Sequence, residues 1–127
     1  MQFPIPGINK KKITNEVIKK YNLRHIRLNE NIEGYIFINK TNGLVGFVSV
    51  ENKDNGTKWI QALEVSKSFR GMGLGYAILD FAVTKLGARY LSVRKTNKIA
   101  YRMYIKYGFK SYMMTDYMYF MKLKEIA

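Results

Sequence analysis

Apolar and polar positions follow two different periods along the chain, one before and one after Val65. Ile13, Val17, Ile18 and Tyr21 recur at helical spacing, with Thr14 or Asn15 placed as a cap, and predict a short helix. From Leu23 the pattern becomes that of extended chain, predicting strands over 23–28, 34–39, 44–51 and 57–65. Asn42-Gly43 and Asn55-Gly56 supply positive-φ residues for tight hairpin turns. This half reads as an antiparallel meander, preceded by residues 1–12, which carry both prolines and three lysines and read as an arm with little structure of its own.

Beyond Val65 a polar stretch leads into Gly71-Met72-Gly73-Leu74-Gly75, and Leu74, Ala77, Ile78, Phe81 and Ala82 then mark one face of a helix running to about Leu86. Gly87 ends it. Residues 89–94 suffice for a short strand, Thr96 or Asn97 opens a helix through about Tyr107, and Gly108 stops it. Residues 109–114 and 117–123 finish as strands. The predicted fold is a mixed α/β (α+β) sheet: an antiparallel N-terminal meander, then β-α-β-α-β-β with a central parallel strand pair.

Composition narrows the chemistry. At 127 residues and 47% apolar content the chain reads as a single domain able to bury its own core. Having no cysteine, it lacks disulfides, thiolate metal ligands and a Cys nucleophile, and its one histidine, His25, argues against a His-based metal site or a Ser-His-Asp triad. His25 itself reads as structural. No apolar run is long enough to span a bilayer and the N-terminus has no signal-peptide pattern, so a cytoplasmic protein without a membrane partner is expected.

Lys and Arg total 22 against 9 Asp and Glu, a net +13, and the excess is uneven. No acidic residue falls between Asp80 and Asp116, where Lys85, Arg89, Arg94, Lys95, Lys98, Arg102, Lys106 and Lys110 lie, and a second basic cluster runs from Lys10 to Arg27. Such a field attracts a phosphorylated cofactor, a nucleic acid or another anionic surface, or serves solubility alone.

Arg70-Gly71-Met72-Gly73-Leu74-Gly75, between a predicted strand and a predicted helix, lets backbone approach a ligand and aims the first unpaired helical N–H groups at it; phosphate is the natural occupant. A P-loop is excluded because no Lys follows the glycines, and a dinucleotide fingerprint fails because its third small residue would fall at Tyr76 or Ile78. In the next helix Asn97, Ala100 and Tyr104 share a face, closed by Gly108-Phe109.

These two segments resemble the GNAT acetyltransferase superfamily, whose members pass an acetyl group from acetyl-coenzyme A to an amine. Arg70-Gly71-Met72-Gly73-Leu74-Gly75 after Leu63-Glu64-Val65 matches the first motif, and Asn97, Ala100, Tyr104, Gly108 and Phe109 match the second without a gap, about 22 residues on. The resemblance spans about residues 57–110 and implies acetyl-CoA as cosubstrate with no metal. It implies that the amides of Arg70, Gly71, Met72, Gly73, Leu74 and Gly75 hold the pyrophosphate, that Leu63 and Val65 offer main-chain groups to the pantetheine and the thioester oxygen, and that Asn97 hydrogen-bonds the pantetheine. Tyr104 would protonate the departing thiolate, and Arg102, Lys106 or Lys98 would meet the adenosine phosphates. A general base is less defined: Ser92, Trp59 and Ile60 stand where some members carry Glu, leaving Glu64 as first candidate and Glu51 as second, or a water chain.

Only one helix is predicted before the extended segments where the family usually has two, which leaves the acceptor groove more open and suits a large acceptor. With the net charge, this points to an amine on or near a polyanion, with nucleic acid or nucleoprotein among the possible partners and a monomer or homodimer as the assembly. The alternative is a non-catalytic basic module of the same fold that binds nucleic acid or a protein. Six of the ten tyrosines fall between Tyr101 and Tyr119 and read as packing more readily than as stacking platforms, the methionines as flexible core or a plastic substrate wall, and Trp59 as either pocket or packing.

Overall fold

In the computed structural model, which describes residues 5–24 and 26–124, the elements run β1 (Asn9–Lys12), α1 (Asn15–Tyr21), β2 (Ile32–Ile38), β3 (Leu44–Asn52), β4 (Lys58–Val65), α2 (Leu74–Thr84), β5 (Tyr90–Arg94), α3 (Lys98–Tyr107), β6 (Phe109–Met114) and β7 (Met118–Leu123). The strands make one seven-stranded sheet in the order β1-β2-β3-β4-β5-β7-β6, antiparallel throughout except for the β4–β5 pair. The expected mixed sheet with its central parallel pair is therefore present. Among the described residues no helix is long and apolar enough to cross a membrane.

Local chemistry accounts for the boundaries. Thr14 Oγ1 accepts the Val17 N–H at 3.2 Å to cap α1, and Asn22 ends it in the left-handed region at φ 55°. Each of the two hairpin turns uses one positive-φ residue, Asn42 in the first and Gly56 in the second. Asn39 Oδ1 ties the first turn by accepting the N–H groups of Thr41 and Gly43. Asn97 Oδ1 accepts the Ala100 N–H to open α3, and Gly108 at φ 127° closes it.

Packing divides the molecule by face. On one face α2 and α3 cover the sheet, with Phe37, Val45, Val48 and Val50 beneath one flank of α2 and Leu91, Val93 and Met121 beneath the other flank and α3. Serving both clusters, α2 buries Leu79 and Val83 in addition to the predicted stripe. On the opposite face α1 buries Val17 with Ile13, Leu23, Ile26, Ile36 and Phe47.

Two expectations change. The segment expected as an arm contributes β1, whose four residues pair with β2 from Asn9↔Ile38 to Lys12↔Tyr35. Polar Asn and Lys suffice there because an edge strand needs mainly its backbone, and the Lys10 ammonium sits 4.9 Å from the centre of the Tyr35 ring. The segment expected as a strand over 23–28 is not one among its described residues; Leu23 and Ile26 reach the α1 cluster as irregular chain. His25 lies outside the described residues.

Candidate functional site

The cleft begins where the sheet fails to close. β4 and β5 share a single register pair, Trp59 with Tyr90, whereas β3 and β4 stay paired as far as Gly46↔Val65. A bulge between Ser49 and Val50 places Gln61 as an extra residue in β4, and the Ser49 hydroxyl donates to Gln61 Oε1 at 2.7 Å. Ser66 N–H donates to Val45 O at 2.8 Å, so by the alternation of antiparallel bonding the N–H and C=O of Leu63 and Val65 point away from β3 into the gap that β5 has left. A cleft of about 1160 Å³ fills that gap and is lined by residues from both faces of the sheet.

One end of the cleft is the glycine loop. After a single 3-10 turn at Lys67–Phe69, Gly71 and Gly73 adopt φ of 85° and 79°, and Gly73 caps α2 without any side-chain hydrogen bond. The first helical bond runs from Ala77 N–H to Gly73 O, leaving the N–H groups before it without helical acceptors. A Cβ on Gly75 would stand 3.3 Å from Met103 Sδ and 3.6 Å from Val65 Cγ2, so a residue without a side chain lets α2, α3 and β4 converge here. The dipole of α2 and the free N–H groups make this end suited to an anion.

Tyr104 closes the other wall. Its ring is 7% exposed and meets Phe109 edge-on at 6.1 Å, and burial raises its phenol above the ordinary value near 10. No donor or acceptor among the described residues bonds its hydroxyl, and no buried side-chain oxygen or nitrogen among them lacks a partner, so the hydroxyl opens to the cleft. Asn97 and Ala100 lie on the same wall, and the capping bond of Asn97 occupies its Oδ1 and leaves its Nδ2 donors free.

Of the residues singled out from the sequence, Leu63, Glu64, Val65, Arg70, Gly71, Gly73, Leu74, Gly75, Asn97 and Tyr104 border this one cleft. Met72 does not and is 67% exposed. Glu64 is the one carboxylate on the wall among the described residues, half-exposed, with Oε1 3.9 Å from Arg70 Nη2; Arg70 Nε in turn donates to Val65 O at 3.0 Å. Glu51 lies outside the cleft and pairs with Lys53 at 3.2 Å. Trp59 stacks on Tyr90 where the two strands meet, 5.1 Å between ring centres, rather than lining the cleft. Of the basic residues of α3, Arg102 and Lys106 border the cleft and Lys98 does not. Phe47 and Gln61 also border the cleft without having been singled out, since only strand pairing and the bulge place them there, and Met103, one of the methionines read as flexible core or substrate wall, borders it from α3.

The acetyltransferase (GNAT) family matches the chain over residues 9–109. No curated protein matches its sequence. Among solved structures, the ribosomal-protein-S18-alanine N-acetyltransferase of Escherichia coli is similar at 16% identity with a TM-score of 0.74, covering 91% of this chain and 92% of its own. The spermidine/spermine N-acetyltransferase SpeG of Vibrio cholerae, crystallised with manganese ions, is similar at 12% identity and a TM-score of 0.69, covering 91% of each chain. The N-acetyltransferase PseH of Campylobacter jejuni is 17% identical with a TM-score of 0.69, covering 95% of this chain and 100% of its own.

Proposed function

The chain belongs to the acetyltransferase (GNAT) family, and from that premise we propose that it moves an acetyl group from acetyl-coenzyme A to a primary amine by direct attack. One observation carries the reading: the stretch of β4 left without a neighbouring strand, the free N–H groups at the start of α2 and the unpartnered Tyr104 hydroxyl all meet in a single cleft. These residues fit an elongated cosubstrate with an anionic middle. The loop Arg70 to Gly75 would hold the pyrophosphate, with Met72 contributing backbone alone, and Arg102 and Lys106 would meet the adenosine phosphates. The main chain of Leu63 and Val65 would pair with the pantetheine amides as a neighbouring strand does, and the Nδ2 of Asn97 would donate to the same arm.

Bound acetyl-CoA supplies an activated thioester, whose C–S bond breaks as the amine nitrogen forms the new C–N bond. The Val65 N–H would stabilise the charge that develops on the carbonyl oxygen. Tyr104 would give its proton to the sulfur, and burial keeps that proton in place at neutral pH. Glu64 would take the proton of the amine, directly or through water, from its place on the same wall. Its pairing with Arg70 favours the second reading, a basic module of the same fold without turnover.

Calorimetric titration tests the cofactor site: acetyl-CoA binds at micromolar affinity and ATP does not. Equal affinity for both, or none, removes the reading. Asn97 separates structure from binding. Asn97→Asp keeps the helix cap and weakens acetyl-CoA, whereas Asn97→Ala also lowers unfolding stability by about 1 kcal/mol. If both variants bind acetyl-CoA as the parent does, Asn97 is a cap only.

A further inference from the structure

Helices α2 and α3 pack along one face of the sheet from β2 to β7, whereas the cluster on the opposite face covers only part of its width. The α1 cluster reaches β4 at Ala62 and includes nothing from β5, β6 or β7. Leu91, Val93 and Met121 point into the α2/α3 core, so the alternate residues Tyr90, Ser92, Arg94, Phe120 and Lys122 face the open side. There Trp59 stacks on Tyr90 and meets Phe120 edge-on, and Tyr112, brought to this side by the β6 bulge, meets Tyr90 edge-on and is 52% exposed. Four aromatic rings thus form a continuous patch, which starts at the residue pair where the cleft closes.

The charge around this patch is basic apart from Glu51. Lys53 lies over the Trp59 ring at 5.8 Å and Lys122 over the Tyr90 ring at 5.7 Å. Lys110 and Lys122 are direct register partners, a like-charge pair that costs stability unless an anion lies between them. Arg94 continues the basic rim to the cleft mouth. Glu51, the carboxylate paired in register with Trp59, is held by Lys53, and Asp54 and Asp116 sit beyond the strand ends in the connections.

We propose that this open face of β4, β5, β7 and β6 is a docking surface for single-stranded nucleic acid, the bases meeting Trp59, Tyr90, Phe120 and Tyr112 and the phosphates meeting Lys53, Arg94, Lys110 and Lys122. Flat rings ringed by cations answer bases joined by phosphates. An acidic polypeptide would satisfy the lysines and leave the exposed Tyr112 ring uncovered. That the bound strand presents the acceptor amine to the cleft rests on the acetyl-transfer reading; the binding itself does not.

The test uses the full chain and a short end-labelled oligo(U), followed by anisotropy and by the fluorescence of Trp59, the one tryptophan. Binding quenches Trp59 by stacking, and the logarithm of affinity falls with the logarithm of salt by about 0.7 for each phosphate held. Lys110→Glu with Lys122→Glu weakens binding by about tenfold or more, whereas Lys19→Glu with Lys20→Glu, an equal charge change on α1, weakens it by less than about threefold. Tyr112→Ser weakens it by about tenfold and reduces the quench without changing charge. Equal losses in the two lysine pairs, binding without quenching, no binding, or poly-glutamate competing at the concentrations of oligo(U) would each overturn the proposal, the last in favour of an acidic protein. Acetyl-CoA titration of the same variants keeps the two readings apart. Oligonucleotide binding by a protein that does not take acetyl-CoA overturns acetyl transfer alone, and loss of parental oligonucleotide binding with acetyl-CoA retained overturns the docking surface alone.

Discussion

Replacing Tyr104 by Phe lowers kcat by about a hundredfold or more, the scale of a positioned acid, while the dissociation constant for acetyl-CoA changes by less than about threefold. The ring occupies a well-packed place against Phe109, and Phe keeps that packing, so the variant removes the hydroxyl and little else. With no protein partner among the described residues, the hydroxyl leaves no unpaired group behind. The pH profile carries the same signature. Burial raises the Tyr104 pKa, so an alkaline limb that comes from this phenol is centred above the ordinary value near 10. An alkaline limb centred below pH 9 in the parent, or a kcat unchanged in Tyr104→Phe, removes Tyr104 as the proton donor.

Gly46→Ala is expected to be the most damaging single methyl addition in the sheet. A Cβ there would stand 2.5 Å from the carbonyl oxygen of Glu64, 2.8 Å from Ile78 Cδ1 and 3.3 Å from Val65 Cα. The nearest of these is backbone, so β4 must move at the end where it forms the cleft wall. Overpacking of this kind costs about 2–3 kcal/mol and lowers Tm by about 10 °C, and the displaced Val65 weakens acetyl-CoA binding as well. Gly56→Ala is the control: its φ of 83° carries the left-handed cost of about 1 kcal/mol, but no atom lies within 4 Å and the cleft is remote. Equal losses at the two sites would mean that the close approach at Gly46 has no consequence.

The sequence was most legible where the backbone needs a particular residue. The glycines of the loop, the cap at Asn97 and the stop at Gly108 mark positions where conformation restricts identity, and each stands at its expected place. It was least legible where pairing decides. Asn9, Lys10, Lys11 and Lys12 have no apolar alternation, because an edge strand buries little, and the splay between β4 and β5 leaves no mark on either strand. The aromatic C-terminal region was legible in part. Tyr101 packs on Tyr119 with ring centres 4.6 Å apart and Met121 is fully buried, but Tyr112, Met113, Met114 and Tyr117 stay exposed, since packing on the two sides of a strand differs only once its neighbours are known.

The single register pair between β4 and β5 also bears on how the molecule holds itself together. Hydrogen bonding nearly divides the sheet into two blocks, one of four strands and one of three. Side chains of α2 span both, with Ile78 and Phe81 in one apolar cluster and Leu79 and Val83 in the other. Cooperativity of unfolding therefore passes through this helix more than through the ladder, and a ligand lying along β4 as a missing strand would join what the backbone leaves apart.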